Sequence, residues 1–305
     1  MSRILVIRLS ALGDFLLSFP AFAAIRAHHP TADITLLTTA PLADLARRAP
    51  WFDDIEIDAR PEWWNLPGLF RLARQMRGYN FVYDLQTSAR SSRYFWLAGR
   101  PPWSGIAKRC SHPHANPLRD LMHTRERQRE QLQDAGISEF PPPDLSWLPP
   151  GPDLPQPYAL LVPGAAPHRP DKRWPAEKYG ALAAILAERG IRPVVIGSAA
   201  EAPLAATIRA ACPDALDLTG QTDIADIFGL ASRAALAVGN DTGPMHFAAL
   251  AGCPSVVLFS RASDPALTAP RGLHGEWPRL LRVPDLTMLS VDDVIDAVQN
   301  LAATP

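Results

Sequence analysis

The residues with the clearest chemical promise lie in Val238-Gly239-Asn240-Asp241-Thr242-Gly243-Pro244-Met245-His246, between an apolar run from Ala234 to Val238 and a small-residue pattern from Pro244 to Ala251. That order predicts the end of a strand and the start of a helix. Thr242 or Gly243 can cap the helix, and Pro244 suits its first turn because the amide that proline lacks would have no partner there. Unpaired N–H groups, here those from Thr242 to Met245, and the positive end of the helix dipole favour a phosphate above the strand. Asp241 has a different aptitude: a carboxylate repels phosphate but accepts hydrogen bonds from sugar hydroxyls. Taken alone, such a corner reads first as a plain cap. Other groups in the chain change the balance.

A second carboxylate, Asp14, follows Ser10-Ala11-Leu12-Gly13 after the apolar run Ile4 to Ile7. Gly13 permits a tight turn, and a helical pattern runs from Asp14 to about His28, with a bend expected at Pro20. Asp14 is either an N-cap or a general base at the carboxyl edge of a parallel sheet, where ligands gather in open α/β folds. The irregular loop Pro163 to Pro175 ends in Lys172 and Arg173, which can meet a diphosphate as a point charge and as a fork. A solvated basic loop is the plainer alternative. Glu201, after Gly197-Ser198-Ala199-Ala200, suits either ribose hydroxyls or a helix dipole. Arg90 and Arg93, in a hydroxyl-rich segment following Asp84, can grip a phosphate or carboxylate.

These groups require a scaffold, and 305 residues suffice for two α/β domains, each with its own core. Apolar content of 47% with 20% charged residues fits a globular chain. The net charge of -1 gives no global attraction to nucleic acid or lipid, but residues 60 to 130 hold thirteen Arg or Lys against five acids, a local excess of +8. That asymmetry points to an anionic partner for the first half. Cys110, Cys212 and Cys253 lack Cys-x-x-Cys spacing, which argues against a structural zinc site or a disulfide framework. No apolar run reaches the length of a membrane span, and no targeting segment is expected before the first strand. Neither a phosphate-binding G-x-x-x-x-G-K-[ST] loop nor a G-x-G-x-x-G turn after a strand is present. Asp-x-Asp is also absent, so protein cations and helix amides are the expected neutralisers of any diphosphate, with no metal.

Strands are expected at Arg3 to Leu9, Asp33 to Leu37, Ile55 to Ile57 and Phe81 to Leu85, with a helix from Leu66 to Arg77. Trp63, Trp64, Trp96 and Trp103 in this half read as core or loop packing, although a lipid-linked substrate would find them useful. Prolines crowd residues 139–157, which reads as a linker. A second series follows, with strands at Tyr158 to Val162, Arg192 to Ile196, Ala215 to Leu218, Ala234 to Val238, Ser255 to Phe259 and Leu280 to Val283. Helices are expected at Ala176 to Arg189, Ala202 to Ala211, Asp223 to Ala231, Pro244 to Ala251 and Val291 to Ala302. The fold class is therefore α/β: two Rossmann-like doubly wound domains facing across a cleft, residues 1–148 and 158–305, joined by linker 149–157. The last helix is free to pack back on the first domain.

Several stretches together resemble glycosyltransferase family 9, the lipopolysaccharide heptosyltransferases: ILVIRLSALGD (4–14), YDLQTSARSSR (83–93), DKRWP (171–175), GSAAE (197–201), LTGQTDIADI (218–227) and GNDTGPMHFAALAGCPSVVLF (239–259). The resemblance covers nearly the whole chain, and its last stretch is long and specific. It implies a GT-B fold and inverting, metal-independent transfer of a heptose from ADP-heptose to the lipopolysaccharide inner core. By motif position it implies Asp14 as catalytic base, with Lys172, Arg173, Glu201, Asp241, Thr242, Gly243 and His246 on the donor side. Ser10, Arg90 and Arg93 fall to the acceptor side. No cofactor is implied. The partners implied are a nucleotide-sugar donor and a lipid-linked anionic saccharide, with no nucleic acid, and the expected location is cytoplasmic, in transient contact with the inner face of the membrane. Ala165, Ala166 and Pro167 replace threonines that the family offers before Lys172. Two other functions stay open: a sugar-nucleotide epimerase of the same fold, and a non-catalytic protein binding an anionic glycolipid.

Overall fold

Ile4 to Ile7 are all buried, as expected for a parallel strand covered on both faces, and they form most of β1 (Arg3–Ile7) in the computed structural model, which describes residues 2–301. The strands β2 (Asp33–Thr38), β3 (Asp54–Ile57), β4 (Phe81–Asp84), β5 (Trp103–Gly105) and β6 (His112–Pro113) complete a first sheet in the order β3-β2-β1-β4-β5-β6. A second sheet contains β7 (Tyr158–Val162), β8 (Arg192–Val195), β9 (Leu216–Asp217), β10 (Leu236–Asn240), β11 (Ser255–Phe259) and β12 (Arg279–Arg282), in the order β12-β11-β10-β7-β8-β9. All pairings are parallel. Both sheets thus place their first and fourth strands side by side. Connections leave in opposite directions from that pair, which opens a crevice at the carboxyl edge.

The chain divides into two units, Met1–Trp147 and Leu148–Pro305. The proline-rich residues 149–157 fall within the second. Arg233 fastens them: its Nη2 donates to the carbonyls of Pro150 (2.7 Å) and Pro152 (2.6 Å), and its Nη1 pairs with Asp153 (3.0 Å). Gly229, in the helix Asp226–Arg233, lies directly under this segment. The final helix, Val291–Leu301, packs on the helix Ala176–Glu188 and on β11, all in the second unit.

Several expectations need correction. The helix expected from Asp14 to His28 is two helices, Leu12–Leu17 and Phe19–His28, broken at Ser18 and not at Pro20. Pro20 sits in the first turn of the second helix, where its missing N–H is harmless. Gly13 lies inside the first of these helices, not in a tight turn. β10 runs on to Asn240, two residues past the expected end, and β5 and β6 are additional short strands. Trp103 is core, but Trp64 and Trp96 are exposed.

A Cβ added at Gly229 would lie 2.0 Å from the backbone carbonyl carbon of Pro150, a group that cannot move aside cheaply. Gly229→Ala is expected to lower stability in urea by about 1–3 kcal/mol through overpacking, despite alanine's advantage of about 1 kcal/mol in a helix. An unchanged or higher midpoint would show that residues 150–153 are not seated there.

Candidate functional site

In the second unit the groups gather over the crevice between β7 and β10. Asn240, the last residue of β10, is fully buried and uses its whole side chain. Its Nδ2 donates to the carbonyls of Pro163 (2.8 Å) and Gly164 (3.3 Å), while its Oδ1 accepts from the Trp174 amide (3.0 Å) and the Tyr179 hydroxyl (3.2 Å). Both ends of the loop after β7 are thereby tied to the end of β10. Within that loop the Lys172 ammonium donates to the Asp241 carboxylate, and both side chains are largely buried. Arg173 braces the loop through the Ala165 carbonyl (2.8 Å).

Thr242, in extended conformation, is the N-cap of the helix Gly243–Leu250, and no side chain caps the helix amides. The Met245 amide is 3.1 Å from the Thr242 carbonyl, and Pro244 has no N–H, so the donors expected from Thr242 to Met245 narrow to Thr242 and Gly243. His246 is buried in this helix. Glu201 stands above β7 and β8: its Oε2 accepts from the Ser198 amide (2.6 Å) and hydroxyl (3.0 Å). A Cβ at Gly164 would fall 1.8 Å from its Oε1, so any side chain there would push the carboxylate aside.

In the first unit the crevice between β1 and β4 holds a buried guanidinium. Arg8 Nη1 donates to the Leu85 carbonyl (2.7 Å), and its Nη2 is 3.4 Å from Asp14 Oδ1. Asp14 is the third residue of its helix, not its N-cap, and its side chain is 35% exposed. Asp84, fully buried at the end of β4, accepts the Gln86 (3.1 Å) and Thr87 (3.0 Å) amides through Oδ1. Burial pushes its carboxyl up to about 6, against the pull of those amides, Ser91 and Arg8. Burial likewise draws the Arg8 guanidinium below its ordinary value, opposed by Asp14 and Asp84.

Gln86 Oε1 accepts the amides of Leu9 (2.8 Å) and Ser10 (3.3 Å), which fixes the turn before Asp14. Ser10 Oγ accepts from Arg60 Nη2 (2.6 Å). Arg60 takes a left-handed conformation, φ 50°, and its amide bonds Asp58 Oδ1 (2.7 Å), whose Oδ2 accepts the Tyr94 hydroxyl (2.7 Å). Arg90 and Arg93 both lie over the Trp63 ring, at 5.2 and 4.9 Å, and Arg90 also donates to the Pro61 carbonyl (3.3 Å).

Lys172, Asp241, Thr242 and Gly243 are therefore together, with Glu201 beside the same strand edge, while Ser10 and Asp14 share the first crevice. Arg8, Arg60, Asp84 and Asn240 were not singled out from sequence. A charged residue near the end of the strand expected at Arg3 to Leu9 is the signal that could have found Arg8.

The fold is shared with solved structures along the whole chain. Escherichia coli heptosyltransferase WaaC with ADP superposes with a TM-score of 0.77 at 21% identity, covering 98% of this chain and 99% of that one. E. coli ADP-heptose lps heptosyltransferase II gives 0.74 at 22% identity, over 99% of each. Two doubly wound parallel sheets of this kind make the GT-B fold. A family model described as Glycosyltransferase family 9 (heptosyltransferase) matches residues 113–275, more than half of the sequence, and the chain belongs to that family. It is 25% identical to lipooligosaccharide heptosyltransferase 2 of Haemophilus influenzae, over 88% of this chain and 86% of the relative. Against lipopolysaccharide heptosyltransferase 2 of E. coli K12 the identity is 27%, over 92% and 88%.

Asn240→Asp turns a buried donor into a carboxylate facing two carbonyls. Leaving buried partners unsatisfied costs about 1–3 kcal/mol each. A loss of that order at neutral pH, with weaker nucleotide binding in calorimetry, is the expected result; wild-type values for both would remove Asn240 from its positioning role.

Folded Asp84 holds its proton up to about pH 6, whereas an unfolded chain releases it near pH 4. Folding therefore takes up a proton in that window, and the contribution of Asp84 to stability falls as pH rises through it, by about 3 kcal/mol in all. Asp84→Asn keeps the Oδ1 acceptor and removes the titration. Its unfolding free energy relative to wild type should climb between pH 4 and 6; a flat difference would contradict the assignment.

Proposed function

We propose that this glycosyltransferase moves a heptose, with inversion, from ADP-heptose to the inner core of lipopolysaccharide, a lipid-linked anionic saccharide. The observation that carries this reading is the Lys172–Asp241 pair beside the open amides of Thr242 and Gly243, over the β7–β10 crevice. The named relatives support the acceptor class, and WaaC, whose fold the chain shares, was solved with ADP and with ADP-2-deoxy-2-fluoro heptose.

On donor arrival Lys172 exchanges its carboxylate partner for the diphosphate. Asp241 is then released to accept hydroxyls of the sugar, and the Thr242 and Gly243 amides take phosphate oxygens. Glu201 presents Oε1, the oxygen that Ser198 does not engage, to the ribose. The acceptor oxygen attacks the anomeric carbon from the face opposite the diphosphate, Asp14 takes its proton, and the bond to the diphosphate breaks. Charge appearing on the leaving nucleotide is met by Lys172 and the helix amides, which need not reorganise. Arg8 holds Asp14 in place, and no metal has a part in the scheme.

The test is acceptor-dependent ADP release. Asp14→Asn should still bind ADP-heptose in calorimetry yet lose about 10²–10⁴ in turnover, while Lys172→Ala should weaken donor binding itself. Wild-type turnover in Asp14→Asn would sink the base assignment, and full ADP release without acceptor would sink transfer.

A further inference from the structure

One face of the first unit is exposed and apolar where a soluble surface is ordinarily polar. Trp64, Leu66 and Phe70 are 79%, 71% and 72% exposed, within seven residues of chain. The helix Leu66–Gln75 turns Leu72 and Ala73 inward, and Leu66 and Phe70, one turn apart, outward. Arg71 and Arg74, with Arg77 just beyond, extend the exposed side of the helix. The helix Ala89–Leu97 packs beside it and adds exposed Arg93 and Trp96, with the Arg100 guanidinium 5.2 Å over the Trp96 ring. Across residues 60–77 and 89–100 there are seven arginines and one acid, Glu62.

We propose that this face docks peripherally on a bilayer containing anionic lipid. Aromatic and aliphatic side chains enter the interfacial region while arginines meet the headgroups. Each arginine near an anionic surface contributes about 1 kcal/mol. The charge also tells against a second copy of this chain as occupant, because self-association would bring two arginine clusters together. Among the described residues no helix is long and apolar enough to cross a membrane, so the contact is superficial. Chain continuity links the face to the chemistry: Arg60, four residues before Trp64, bonds the Ser10 hydroxyl in the turn that leads to Asp14. Bringing a lipid-linked acceptor to Asp14 rests on the function proposed above; the affinity for lipid does not.

Co-sedimentation with vesicles of phosphatidylcholine, alone and mixed with phosphatidylglycerol, tests the surface. Binding is expected only to the mixed vesicles, weakening with salt and accompanied by a blue shift of tryptophan emission. The double variants Leu66→Glu/Phe70→Glu and Arg71→Glu/Arg74→Glu should each lower partitioning by at least about tenfold, with unchanged circular dichroism and unchanged turnover on a delipidated, water-soluble acceptor. Equal binding by wild type and variants, absence of binding to the mixed vesicles, or a wild-type dimer that the variants dissociate would each overturn the proposal. Failure of vesicle binding with transfer intact removes this surface alone, whereas vesicle binding without transferase activity keeps it and removes the proposed reaction.

Discussion

A parallel strand buried on both faces ends in backbone groups that its own sheet cannot pair, and where the strand order reverses no crossover covers them. Both units meet this constraint at the junction of their first and fourth strands, with long-range side-chain bonds. Asn240 closes the β7–β10 end with four bonds to the loop after β7 and its following helix. Arg8 and Gln86 close the β1–β4 end by joining the turn before Asp14 to the residues after Asp84. These long-range bonds fix the loop that carries Lys172 and the turn that leads into the helix of Asp14.

The two crevices handle buried charge differently. Lys172 and Asp241 neutralise each other, which limits the desolvation penalty of each but leaves a pair that an incoming anion can split. In the first unit Arg8 stands among Asp14, Asp84 and the Leu85 carbonyl, and burial keeps the Asp84 proton well above the ordinary carboxylate range. Asp14 is the carboxylate that Arg8 reaches, at 3.4 Å.

Much of this architecture was legible in the sequence. Tyr158–Val162 and Ser255–Phe259 are strands over the full length expected, because five consecutive buried positions leave no ambiguity of period. The short strands β5 and β6 were not legible: three and two residues carrying Gly, His and Pro have no strand signal, and only pairing with β4 makes them strands. Asp241 and Lys172 stood out by residue type and turn chemistry. Asn240 did not, since its role depends on partners 61 to 77 residues away, and a turn asparagine looks the same in sequence whether it clamps a loop or faces water. Arg8 is hidden for the same reason, its carbonyl partner being 77 residues distant.

The contrast between the units extends to their surfaces. In the second unit the cation at the crevice is already paired, so an incoming anion has to displace Asp241 to reach Lys172. Across residues 60–77 and 89–100 most arginines are exposed, Arg90 and Arg93 over Trp63 and Arg100 over Trp96, with one acid, Glu62, among them. Unpaired surface charge attracts from a distance but discriminates poorly and is screened within about 10 Å at moderate salt. The sequence divides these two kinds of charge between its halves: a chain of net charge -1 concentrates an excess of +8 in residues 60 to 130 and keeps a buried, paired lysine in the other unit.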